Sequence, residues 1–404
     1  MYSGTPETSR LHRLGSALLH MTRKEAYRLE YLDGLRAVAA LYVVLFHTGN
    51  GFLDSERPLH GFARSLQRAL SFGHDAVAVF IVLSGYCLML PVARAEGLLV
   101  RGIPNYIARR AWRILPPYFA ALGGSLLLIA VAPVLETPTK TIWQDSFPAF
   151  GFGPIVSHLL LIHNLFPAWI HTINGPLWSV ATEWQIYFFF PFVLLPIWRR
   201  FGAGRTLLVA FALGGALTWL VPSAARSASS WYIGLFGLGM CAAGINFASR
   251  PAESRLRERA PWGIISLGMV AAVLCGVTLL IKYWFRFMPY SDALVGAATA
   301  SVLLYLTPHA LRPAQQHPLL LRFLQSGPLV ALGRFSYSLY LTHLPIVALC
   351  YFGLHRLELT PELEMLSLIL LGLPLSVLFS YAFFWVFERR FVGAPPAIFR
   401  LRRS

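Results

Sequence analysis

The sequence predicts an all-α polytopic integral membrane protein of about ten transmembrane helices, with both termini in the cytoplasm. Three observations carry that expectation. The 404 residues are 56% hydrophobic and only 13% charged, with a mean hydropathy of +0.58, whereas a soluble domain carries about 25% charged residues. Apolar stretches close to the ~20 residues that a spanning helix needs recur along the chain. The basic residues fall in short clusters between those stretches, on alternating sides, as the positive-inside rule expects. The formal charge of +16 therefore does not indicate nucleic acid.

The candidate spans are 32–48, 74–93, 114–135, 177–197, 206–222, 231–249, 262–281, 291–311, 334–353 and 365–387. With a cytoplasmic N-terminus, 24 of the 34 lysines and arginines fall inside, in 1–31, 94–113, 198–205, 250–259, 312–322 and 388–404. Eight fall outside: Arg57, Arg64, Arg68, Lys140, Arg226, Lys282, Arg286 and Arg356. An odd number of spans would break this alternation. The organisation is then a cytoplasmic leader (1–31), a membrane domain (32–388) and a basic cytoplasmic tail (389–404). The leader carries several charges and no short apolar run ending in a small-residue cleavage site, so it does not read as a signal peptide. Cys87, Cys241, Cys275 and Cys350 lie singly in apolar segments without a CxxC pair, which suggests neither a disulfide framework nor a metal site.

Ionisable groups at membrane depth are costly and mark candidate chemistry. In the first span, YLDGLRAVAALYVVLFHT, Arg36 and His47 are about 16 Å apart along a helix. An arginine can fork onto a phosphate, and a histidine can move a proton near neutral pH. The second span, GHDAVAVFIVLSGYCLML, opens with Asp75, a charge suited to a helix N-terminus. Ser84 lacks a GxSxG setting, and Ser84-Gly85 fits a close helix contact. Before the third span, Arg109, Arg110 and Arg113 share one helical face and form a candidate phosphate site. In the fourth span Glu183 sits among aromatic residues, at a depth expected to match His47, and a His–Glu pair there would serve as base and orienter. The ninth span, LGRFSYSLYLTHLPI, places Tyr340 and His343 on one face as pore or site candidates. The outer loop 136–176 interleaves aromatic and polar residues, and Trp143, His163, Trp169 and Asn174 are its candidates for acceptor contact. A loop this long is usually functional or disordered, and its aromatic content disfavours disorder.

Five segments together resemble the acyltransferase 3 family of membrane O-acyltransferases. They are EYLDGLRAVAALYVVLFH (30–47), GHDAVAVFIVLSGYCL (73–88), ARRAWRILPPY (108–118), GPLWSVATEWQIYFFFP (175–191) and LGRFSYSLYLTHLP (332–345). The resemblance implies transfer of an acyl group, usually acetyl from cytoplasmic acetyl-CoA, to a hydroxyl in the bacterial inner membrane. Typical acceptors are exopolysaccharide or lipopolysaccharide O-antigen, and some members modify antibiotics or lipids. It maps the family's first-helix arginine and histidine onto Arg36 and His47, its fourth-helix acid onto Glu183 and its basic inner-loop pattern onto Arg110 and Arg113. This implies Arg36, Arg110 and Arg113 for donor binding and His47 with Glu183 for catalysis, His47 serving as base or as covalent carrier. No metal is implied. A secondary transporter using Arg36, His47 and Glu183 as a proton relay is the competing reading, against which no inverted repeat is visible.

Overall fold

A computed structural model describes residues 29–53, 57–99, 101–279 and 288–393. The leader to residue 28, the tail from residue 394, the end of the seventh span, Lys282 and Arg286 lie outside the described residues. Among the described residues there is no strand. The principal helices are α1 (Glu30–Phe46), α2 (Gly73–Arg94), α3 (Gly102–Val131), α4 (Leu177–Phe189) and α5 (Leu195–Leu220). Then come α6 (Tyr232–Phe247), α7 (Trp262–Leu279), α8 (Met288–Ala310), α9 (Ser336–His355) and α10 (Pro361–Phe383).

Each predicted span has its helix, but fewer than ten pass as independent crossings. Among the described residues, seven helical stretches are long and apolar enough to cross a membrane, or eight if α6 and the helix Pro251–Arg259, bent by 88°, count as one. α4 and α5 run on as one 44-residue stretch, about 66 Å of helix, or twice a ~30 Å hydrocarbon core. Gly202, at φ 80°, breaks that stretch, a conformation open to glycine because it lacks a Cβ. α3 begins twelve residues earlier than its predicted span, so Arg109, Arg110 and Arg113 lie within the helix and not in a loop before it. Good helix formers continue the turn there, and long arginine stems can lie along apolar surface.

Cross-contacts fix the helix directions. Tyr31 at the start of α1 bonds Thr307 near the end of α8, and His74 at the start of α2 pairs with Asp292 at the start of α8. Arg113 in α3 meets Glu388 just beyond α10. The bundle therefore has an arginine end, holding Arg36, Arg94 and Arg113, and a histidine end, holding His47, His74 and His355.

α2 packs most closely on α6. A Cβ on Gly239 would lie 1.9 Å from the Val82 carbonyl oxygen, and one on Gly85 would lie 2.1 Å from that of Phe236. The small residues of the second span thus serve close backbone approach. Wider, π-type turns continue α1 over His47–Gly51 and α10 over Phe384–Glu388. Such turns often occur at functional positions, and these two carry His47 and Glu388.

Candidate active site

A cavity of about 490 Å³ opens at the arginine end, between α1, α2, α3, α4 and the start of α9. Its α2 wall runs from Val77 to Leu88, about 16 Å of helix. It therefore reaches from the arginines well towards the histidine end. Arg36, Arg110, Arg113 and Glu183, proposed separately from sequence, all line it, as do Ser84 and Tyr340.

The arginines are unequally committed. Arg36 pairs with Asp33 at 3.1 Å, and its other terminal nitrogen donates to the Cys87 sulfur at 3.1 Å. Arg113 is held at 2.6 Å by Glu388, which is fully buried and also accepts from the Ser338 backbone N–H at 3.0 Å and from the Ser338 hydroxyl. Arg110 has no ion-pair partner among the described residues, and its Nε is buried without a hydrogen bond. Arg110 thus keeps more capacity for an anion than Arg36 or Arg113.

Glu183 accepts from the Tyr187 hydroxyl at 2.6 Å, and that hydroxyl is 3.0 Å from Ser84 Oγ. The expected His47–Glu183 pair is not formed. Glu183 faces α2 and the cavity, where its charge acts on Arg36. His47 turns to α9: its Nδ1 lies 2.8 Å from the Val43 carbonyl oxygen and 3.2 Å from His343 Nε2.

Backbone carbonyls fix the tautomers of both histidines. His343 Nδ1 lies 3.0 and 2.9 Å from the carbonyl oxygens of Leu339 and Tyr340. Carbonyls only accept, so this nitrogen carries the proton, and Nε2 of a neutral His343 is an acceptor. His47 then donates from Nδ1 to Val43 and His343. Its Nε2 keeps a lone pair and makes no hydrogen bond among the described residues. That atom can act as a general base. The pair is linked to the cavity through Tyr340, whose ring lies 6.0 Å from that of His343 and whose hydroxyl is 2.6 Å from Ser179.

A family model described as an acyltransferase domain, of acyltransferase 3 type, matches residues 29–385. The chain belongs to the acyltransferase 3 family. It is a transferase and, with its apolar helices, a membrane protein. Acyltransferase MdmB of Streptomyces mycarofaciens is 24% identical over 79% of this chain and 79% of its own length. A Staphylococcus aureus protein named provisionally as an O-acetyltransferase is 23% identical over 78% of this chain and 50% of its own length. A Caenorhabditis elegans protein named as a regulator of hypoxia-inducible factor 1 is 27% identical over 45% of this chain and 37% of its own length. The chain thus spans half or less of the latter two. No solved structure matches this acyltransferase.

The outer-loop candidates fare differently from the arginines. Trp143 is fully buried, with its indole N–H donating to the Leu135 carbonyl at 2.9 Å. His163 is fully buried and stacks on His158 at 3.7 Å. Asn174 is buried between Ser125 Oγ and the Leu341 carbonyl. These three are therefore buried in the interior of the structure. Trp169 is half-buried over Gly153, and Asp75 lies in the first turn of α2, outside the cavity lining. Sequence reasoning missed Tyr187, Glu388 and Arg334, which lines the cavity from the end of the short helix Gly327–Arg334. The only available signal was a carboxylate, Glu388, closing an apolar run.

Proposed function

We propose that this acyltransferase transfers an acetyl group from cytoplasmic acetyl-CoA to a hydroxyl of an envelope glycan, such as exopolysaccharide or lipopolysaccharide O-antigen, at the bacterial inner membrane. The observation that carries the reading is one cavity lined by arginines and by Tyr340, whose ring lies 6.0 Å from His343, which in turn lies 3.2 Å from His47. In this reading α1–α10 make ten crossings, with both termini and the arginine end on the cytoplasmic side.

Arg110, with Arg36, Arg113 and Arg334, receives the phosphates of coenzyme A through forked, charge-assisted hydrogen bonds. The pantetheine arm extends along the α2 wall and brings the thioester towards His47. His47 Nε2 takes the acceptor hydroxyl proton as the oxygen attacks the thioester carbonyl carbon. The C–S bond breaks as the tetrahedral intermediate collapses, and His47 returns the proton to the departing thiolate. The base is therefore regenerated without net proton movement. Against a proton-coupled transporter stands the lack, among the described residues, of a shared hydrogen-bond partner between His47 and Glu183.

The test is purified protein in lipid nanodiscs with radiolabelled acetyl-CoA, together with ester analysis of envelope glycans from cells with and without the protein. Ester-linked acetyl that depends on the protein and on His47 is expected. Label recovered in a lipid or small-molecule fraction would replace the glycan acceptor, and no donor binding at all would remove the acetyl-CoA reading.

A further inference from the structure

One helical turn beyond the cavity, at the histidine end, lies a second polar cluster that the transfer chemistry above does not use. His74 precedes the cavity-lining Val77 by three residues, and Trp178 immediately precedes the cavity-lining Ser179. His74 therefore continues the α2 wall outward, and Trp178 joins it by stacking on its ring. Asp292, fully buried in the first turns of α8, accepts from Trp231 Nε1 at 2.7 Å and pairs through the same Oδ2 with His74 Nε2 at 3.1 Å. The Tyr232 hydroxyl is 3.0 Å from that nitrogen. The other carboxylate oxygen of Asp292 is buried with no hydrogen-bond partner among the described residues.

Leaving a buried carboxylate oxygen unmatched is costly, which argues that the cluster is completed by a ligand. The His74 side chain is 20% exposed. Its ring lies parallel to the half-buried indole of Trp178, 5.7 Å away and tilted by 9°. A carboxylate only accepts, so it fixes a proton on His74 Nε2 and leaves Nδ1 as the ring nitrogen available for a further hydrogen bond. Gly73, next to His74, faces the ring of Phe46, next to His47. This contact places the cluster near the proposed base.

We propose that His74, Asp292 and Trp178 form the acceptor subsite, which takes a hexopyranoside ring. The indole supports an apolar C–H face of the sugar while the His74–Asp292 pair fixes one of its hydroxyls. A few placed polar groups on an aromatic wall are the usual composition of such sites. This rests on the glycan reading above and moves acceptor recognition from the 136–176 loop, whose Trp143, His163 and Asn174 are buried, to the starts of α2, α4 and α8. His74 and Asp292 are positioning residues: the hydroxyl proton still goes to His47.

The probe is octyl β-D-glucopyranoside, below its micellar concentration, added to the intact protein in lipid nanodiscs. Its binding, coenzyme A binding and acetyl transfer to it are measured for the parent and for His74→Gln, Asp292→Asn and Trp178→Leu. At least tenfold weaker probe binding is expected in each variant, with coenzyme A affinity within twofold of the parent. The part-exposed His74 allows its conservative variant to fold even if Asp292→Asn does not. Parent-like probe binding in His74→Gln and Trp178→Leu overturns the subsite, as does failure of the parent to bind the probe. Equal loss of probe and coenzyme A binding in all three marks a structural pin and also overturns it. If the parent binds the probe through these residues but forms no ester, the subsite stands and the acetyl-transfer reading fails. Ester formation with an unchanged probe KM in His74→Gln gives the converse.

Discussion

His47 Nδ1 lies 3.2 Å from His343 Nε2, and the two carbonyl contacts of His343 make it the acceptor in that pair. His343, nearly three hundred residues away in sequence, thus stands where Glu183 was expected. His47→Ala is expected to lower transfer by about 10²–10⁴-fold, the usual worth of a general base, with near-normal abundance. His343→Phe removes the acceptor while Val43 still holds the proton, so a smaller loss in kcat is expected, with little change in either KM. Parent-like kcat in His343→Phe would reduce that residue to packing.

Glu183→Gln keeps the side-chain shape and removes the charge beside Arg36 and Tyr187. At least a tenfold loss of activity is expected, and Tyr187→Phe should reproduce part of it, because it removes the donor to Glu183 and the link to Ser84. Steady-state rates for the two variants and the double variant provide the check. Strict additivity would separate the residues, since neighbours in one network normally couple.

Arg110→Ala should raise the KM for acetyl-CoA about tenfold, equivalent to about 1.4 kcal/mol of binding, with the acceptor KM unchanged. Arg36→Ala should act less on donor affinity, because Arg36 is already matched by Asp33 and Cys87. Titration of coenzyme A onto each purified variant gives the order directly. A larger effect for Arg36 than for Arg110 would reverse the assignment.

Glu388→Ala leaves Arg113 without its carboxylate and Ser338 without its acceptor. Breaking a buried pair from one side typically costs 3–5 kcal/mol. Because Arg113 is 31% exposed and water can reach it, a loss of about 2–3 kcal/mol is expected here. It should show as a lower melting temperature in nanodiscs, partly recovered in the Arg113→Met, Glu388→Leu double variant.

The 136–176 loop should loosen in acid. Burial lowers the pKa of His158 to about 4 and takes that of His163 well below the ordinary value, and the stacked partner adds to the effect on His163. The fold holds both rings neutral, whereas the unfolded loop takes up protons below about pH 6.5. The stabilisation is complete above that pH and is lost as pH falls towards 4. Hydrogen-exchange protection across residues 152–165, taken relative to the intrinsic exchange rate at each pH, should fall between pH 7.5 and pH 5, and His163→Phe should flatten the dependence. Protection that does not change with pH in the parent would contradict the buried-neutral assignment.

The helices and the arginine-lined cavity were legible because both are written in local pattern. Apolar runs mark the spans, and Arg110 and Arg113 are separated by one helical turn. Partnerships across the bundle carry no such signature. Glu388 reads as the end of an apolar segment until α3 brings Arg113 to it, and nothing near Asp292 in sequence points to His74. The loop misled for a related reason: aromatic and polar residues alternate in a buried plug much as they do on a recognition surface. Only the contacts of Trp143 and Asn174 separate the two.

The cavity has one wall that cannot be retailored. At the crossing of α2 and α6, even a methyl group on Gly85 or Gly239 would collide with the facing main chain. Residues on that side cannot shift to admit a bulkier acyl chain without parting the two helices. The opposite side, formed by Tyr337, Tyr340 and Phe384, is made of side chains that can be exchanged one at a time. Diversification of the transferred group among descendants of this chain should therefore be recorded in α9 and α10, with α2 left as an inherited template.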